Sequence, residues 1–123
     1  DAVEQYKGSK GSYPTTSNLS GWVGAVGNKW GTVTDAWVPG LAPDFIDRLP
    51  LDPSPNRALL GTVYLYQSNG VDYKILAHVP ENCNNPKWRS YVDFYRDGGT
   101  DANVIDGTSC WAWSVWSAGY KSL

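Results

Sequence analysis

The stretch Val63-Tyr64-Leu65-Tyr66-Gln67-Ser68-Asn69-Gly70-Val71-Asp72-Tyr73-Lys74-Ile75-Leu76-Ala77-His78-Val79 decides the fold class. It holds two arms of β-branched and aromatic residues on either side of Asn69-Gly70. Asn-Gly between such arms is the strongest short-range hairpin signal, because both residues tolerate positive φ. On the first arm Val63 and Leu65 alternate with Tyr64 and Tyr66. On the second, Tyr73, Ile75 and Ala77 alternate with Lys74, Leu76 and His78. Successive strand side chains point to opposite faces. Both faces therefore carry apolar groups, and the pair is expected in the middle of a sheet.

Toward the C-terminus, residues 111–117 alternate large and small side chains and read as a last strand. Trp111, Trp113 and Val115 share one face and Trp116 the other. Residues 80–110 are rich in Pro, Asn, Gly and Asp, with a strand-like run at 90–95. Toward the N-terminus, residues 39–53 suggest a helical turn opened by Pro43 and Asp44 and ended by Pro50 and Pro53. Leu41, Phe45, Ile46 and Leu49 would form its buried side. Residues 8–40 are punctuated by Gly, Ser, Thr, Asn and Pro, with Trp22, Trp30 and Trp37 as anchors. Loops this long are uncommon without structure of their own, so short strands or turns are expected inside. Residues 1–7 place Ala2, Val3 and Tyr6 at helical spacing, and Gly8 reads as the stop.

Composition agrees with a loop-rich, mostly β domain. The 123 residues suit one domain spanning 1–123. The 13 Gly and 8 Pro exceed the usual share of roughly 12% for the two together. The acidic residues are mostly Asp, which favours turns and caps, where Glu would favour helix interiors. A net charge of −2 gives no electrostatic footprint for nucleic acid. Apolar runs fall far short of the ~20 residues that span a bilayer. A single His and two Cys exclude a structural zinc cluster. The opening residues lack the form of a secretory signal.

Cys83 and Cys110 match no metal or redox spacing. An even count in an Asn-, Ser-, Gly- and Trp-rich chain suggests an exported protein with one disulfide. Such a bond would contribute about 3.5 kcal/mol in the chain-entropy account. The alternative is two unlinked buried thiols. Asp93, Asp97, Asp101 and Asp106 crowd the segment between the cysteines. A calcium loop at Asp97, Asp101 and Asp106 would use hard oxygens, but the spacing is not that of an EF-hand and the closing Glu is missing. A solvated acidic loop accounts for the same residues, so no metal or other cofactor is assigned. His78 could act as a base, yet no partner is identifiable, and no nucleophile motif occurs. A small hydrolase using His78 or Asp97 and Asp101 is therefore disfavoured, and no enzyme activity is expected. The seven Trp would serve either as core anchors or as a sugar-stacking platform. The second use makes a secreted carbohydrate-binding module of β type the alternative function. The sequon Asn18-Leu19-Ser20 adds little to either.

Taken in order, these features resemble the globular head of a bacterial type IV pilin or type II secretion pseudopilin. A helix ending at Tyr6 runs into Gly11-Ser12-Tyr13-Pro14. Trp37, Leu41, Phe45-Ile46 and Leu49-Pro50-Leu51-Asp52-Pro53 follow, then the hairpin, a Cys-bounded loop and the last strand. The resemblance covers nearly the whole chain. It implies an α+β, pilin-like fold: an N-terminal helix remnant packed on one antiparallel sheet of about four strands, with long loops and a disulfide-bounded C-terminal loop. It also implies that residues 1–7 end a longer apolar helix, with roughly two to four dozen residues ahead of Asp1. The family's Phe-Thr-Leu-Ile-Glu-like start is not in this sequence, so no assembly contact there is assigned. The implied function is a structural subunit of a pilus or pseudopilus filament, serving adhesion, motility or secretion. Its partners would be other subunits, and the inner membrane before assembly. The implied location is the cell surface. The sheet is expected to meet the helix through Tyr6, Val63, Leu65, Ile75 and a Trp cluster.

Overall fold

The computed structural model describes residues 2–53, 63–78 and 112–117. They form one helix, α1 (Ala2–Lys10), and four strands: β1 (Val23–Gly24), β2 (Tyr64–Ser68), β3 (Tyr73–His78) and β4 (Ala112–Trp116). All strand pairs are antiparallel, in the order β1-β2-β3-β4. The α+β class is as expected, although β1 is only two residues long and the other three strands carry the sheet. Cys83, Cys110, the 90–95 run and Asp93, Asp97, Asp101 and Asp106 lie outside the described residues.

β2 and β3 occupy the centre of the sheet, and their register separates its two faces. Tyr66 pairs with Ile75 and Leu65 with Leu76. On one face Tyr66 and Tyr73 cluster with Val3, Tyr13, Val23, Trp37, Val38 and Leu41. Tyr6, Phe45, Ile46, Leu49, Tyr64 and Ile75 pack against that cluster. On the other face Val63, Leu65 and Leu76 cluster with Trp22 and Ala25, with Trp30 packed against them. This corrects part of the expected helix contact. Tyr6 and Ile75 do lie on the helix side, whereas Val63 and Leu65 lie on the opposite face. With a side-chain period of two, the tyrosines of β2 must take the face that its aliphatic residues leave.

The helix also ends later than Gly8, which lies within α1. Gly11 takes the left-handed conformation at φ 85°. Its N–H donates to the Lys7 carbonyl at 2.8 Å, the single bond of an αL cap. Gly8 lacks a cap's geometry because the chain turns toward the sheet only after Lys10. A basic pair, Lys7 and Lys10, occupies the last turn, where it suits the helix dipole.

The segment at 39–50 forms turns rather than a helix. One helical bond forms, from the Phe45 N–H to the Leu41 carbonyl at 2.9 Å. The Ala42-Pro43 peptide is cis. Leu41 is buried and Phe45, Ile46 and Leu49 are half-buried, which is the side expected. Trp37 anchors the segment by donating its indole N–H to the Pro50 carbonyl at 2.9 Å.

The long loop around β1 has structure of its own, as expected. Gly24 bridges Val33, and Gly21 bridges Gly31. Asn28 is buried inside. Its Nδ2 donates to the Trp22 and Thr32 carbonyls at 2.9 and 2.8 Å, and its Oδ1 accepts from the Trp30 N–H at 2.9 Å. A side chain at Gly31 would collide with the Ser20 and Trp22 carbonyls, so only glycine lets these backbones approach.

Candidate functional site

The site is a junction where the end of α1, the segment 13–16 and the β2–β3 hairpin tip meet. Val3 is α1's buried residue, and Tyr6 packs beside it against Phe45, with ring centroids 5.2 Å apart. Glu4, Gln5 and Lys7 through Lys10 are exposed. One flank of α1 therefore lies on the domain and the other faces solvent.

Tyr13 ties the helix to the sheet. Its hydroxyl donates to the Glu4 carboxylate, 3.0 Å from Oε1, and its ring meets the Tyr73 ring edge-on at 4.7 Å. The Lys7 ammonium stands 4.6 Å from the centroid of the Tyr13 ring, a cation–π contact. Burial pushes the Tyr13 phenol above its ordinary range, and the Glu4 hydrogen bond and charge push it further, followed by the Asp72 charge. Burial likewise raises Tyr66 and Tyr73. For Tyr73 the Glu4 charge is the next contribution.

The segment 13–16 is stitched to the hairpin. The Tyr13 N–H donates to the Gly70 carbonyl at 2.8 Å, and the Thr16 N–H to the Ser68 carbonyl at 3.0 Å. Thr16 Oγ1 also donates to that carbonyl and accepts from the Ser68 N–H, both at 3.1 Å. The Tyr66 hydroxyl reaches the Pro14 carbonyl at 2.7 Å.

Four residues, 69–72, form the tip, because Ser68 pairs with Tyr73. Asn69 Oδ1 accepts from the Val71 and Asp72 N–H groups, each at 2.9 Å. That Asx turn sets the loop length. Ser117 closes the far side: its Oγ donates to Asp72 Oδ1 at 2.9 Å and accepts from the Tyr73 N–H at 2.9 Å. Between α1 and the tip lies an open, shallow cleft of about 490 Å³. Lys7, Ser12, Thr15, Ser17, Asn69 and Val71 help to line it.

The other sequence candidates distribute as follows. His78 is buried, with its ring 4.3 Å from that of Trp30. Trp22 and Trp37 are core residues, and Trp30 is half-buried. Trp113 and Trp116 stand opposite Ala77 and Lys74 in the β3–β4 register. Cys83, Cys110 and the aspartates of the acidic segment lie outside the described residues. Among the described residues, no group of three His, Cys, Asp or Glu is placed to hold a metal. No described helix is long and apolar enough to cross a membrane. Sequence reading overlooked Thr16, whose hydroxyl joins the backbone of Ser68 52 positions away, and Ser68, whose hydroxyl ties the hairpin tip locally. Isolated Ser and Thr in a turn-rich stretch carry no signal for such a tie. The chain matches no family model, no curated protein and no solved structure.

Proposed function

We propose that this chain is the globular head of a filament subunit of the type IV pilin or pseudopilin kind. The observation that carries the reading is the seating of α1. A nine-residue helix is below the length that is marginally stable alone, so packing must hold it in place. Val3 and Tyr6 seat it on an aromatic sheet face, and its other flank faces outward. That is the arrangement a filament head needs: one helix flank on its own sheet, the other toward neighbouring subunits. In the filament, α1 continues upstream as an apolar helix, first held in the inner membrane and then packed among other subunits' helices. The head forms the outer surface and recognises through shape and contacts, with no chemistry of its own.

The carbohydrate-binding alternative draws on surface tryptophans, and Trp22 and Trp37 are committed to the core. The test is the intact mass and N-terminal sequence of the protein from its source cells. An apolar segment upstream of Asp1, beginning with an N-methylated residue, is expected. A secretory signal cleaved just before Asp1 would overturn the reading, and polysaccharide pull-down would then be the next assay.

A further inference from the structure

Asn69-Gly70 turns the hairpin, but the same dipeptide carries a second chemistry. In any Asn-Gly pair the glycine nitrogen lies within five-membered-ring reach of the Asn side-chain carbonyl, and glycine has no Cβ to hinder closure. Once a solvent base removes the Gly70 N–H proton, the nitrogen attacks Asn69 Cγ. The N–Cγ bond forms, the Cγ–Nδ2 bond breaks, and ammonia leaves. Water then opens the resulting succinimide at either carbonyl, giving aspartate or isoaspartate. The balance is one water consumed and one ammonia released.

At this tip both reacting groups are engaged. The Gly70 N–H donates to Ser68 Oγ at 2.9 Å, and that hydroxyl donates onward to the Asp72 carbonyl at 2.7 Å. Asn69 Oδ1 is held by the Val71 and Asp72 N–H groups, both at 2.9 Å. The Gly70 carbonyl is held by the Tyr13 N–H at 2.8 Å, so the peptides on both sides of Gly70 are fixed. Asn69 itself is exposed, and water and base reach it.

We infer that Asn69 is a conformationally gated deamidation site, closed by the turn and latched by the Ser68 hydroxyl. Ring closure must break the Gly70–Ser68 bond and swing the Asn69 carbonyl off two N–H groups, so it proceeds only when the tip opens. Isoaspartate would then add a backbone methylene inside the turn and draw the Gly70 carbonyl from Tyr13. It would also place a new negative charge beside Asp72. The modification would therefore loosen the tip from segment 13–16 at the Tyr13–Gly70 bond.

The test follows isoaspartate at position 69 by peptide mass spectrometry, with ammonia release, in mildly alkaline buffer. The full chain is compared in native buffer and in denaturant at the same pH. The native rate is expected to be about tenfold or more below the denatured one, as for a tip open less than a tenth of the time. Equal rates overturn the inference, whatever the variants do. Ser68→Ala, with folding checked by circular dichroism, is expected to raise the native rate several-fold. Thr16→Val removes two bonds to the Ser68 backbone but leaves the Gly70 N–H on the Ser68 hydroxyl, so any acceleration should be clearly smaller than that of Ser68→Ala. A folded Ser68→Ala with an unchanged rate, or an equal acceleration by Thr16→Val, removes Ser68 as the latch.

Discussion

The two faces of the sheet are built from different chemistry. The face under α1 is tyrosine: Tyr66 and Tyr73 with rings 6.4 Å apart, and Tyr13 set against them. Its hydroxyls end on specific acceptors, the Pro14 carbonyl and the Glu4 carboxylate. The opposite face centres on an aliphatic cluster, with Val63, Leu65 and Leu76 nearly inaccessible beneath Trp22. The aliphatic residues of this face contribute volume, and buried Lys74 and His78 share the face with them. The tyrosine face is held by volume and by directed bonds, so it fixes where the N-terminal segment lies as well as that it packs.

The largest effect is expected from opening a cavity in the aliphatic face. Leu76→Ala should cost about 3 kcal/mol, within the usual range of roughly 2–5 for a buried leucine, read from the midpoint of urea unfolding. Tyr66→Phe keeps the ring and removes the bond to Pro14. Its cost should be about 1 kcal/mol, the scale of one buried hydrogen bond. A cost near zero for Tyr66→Phe would mean that the directed bond adds nothing and that the tyrosine face is not the more directional one.

Titration sharpens the same contrast. Burial raises Tyr13, Tyr66 and Tyr73 above the ordinary tyrosine value of about 10. An acid whose folded pKa is raised keeps its proton longer in the folded chain than in the unfolded one. Its stabilisation is complete below about pH 10 and is lost as pH rises through the folded value. Stability measured against pH should therefore be insensitive to these groups near neutrality and fall above about 10. The fall should be shallower in Tyr66→Phe. An effect of similar size is expected at the helix stop: Gly11→Ala, forced into positive φ, should cost about 1 kcal/mol. The smallest is at Val71, 72% exposed at the tip, where Val71→Ser should stay within about 0.5 kcal/mol of zero.

The hairpin was legible because its evidence is local. Alternation on both arms and Asn-Gly between them are enough to place two strands in the middle of a sheet. The buried sides of Trp37, Leu41 and Phe45 were legible for the same reason. The face that meets α1 was not, since period two splits Val63 and Leu65 from Tyr64 and Tyr66 without saying which set a distant helix covers. Tyr66 takes that side where its hydroxyl meets a partner, the Pro14 carbonyl, and that partner lies 52 positions away in sequence. The helix stop misled because Gly8 and Gly11 are chemically alike, and only the path toward Tyr13 selects the second. The candidate site was the least legible part: it depends on the Thr16–Ser68 and Tyr13–Gly70 ties, and neither leaves a periodic trace.

Those ties also define how the domain carries load. Tension applied through α1 enters the chain at Gly11 and meets the hairpin almost at once, through the bonds of Tyr13, Pro14 and Thr16 to Gly70, Tyr66 and Ser68. The force is shared across several cross-links within a few residues and passes into the two central strands. The long loop beyond Thr16 is left slack. A domain pulled through its helix would be held by its two central strands, and its irregular half would ride unloaded.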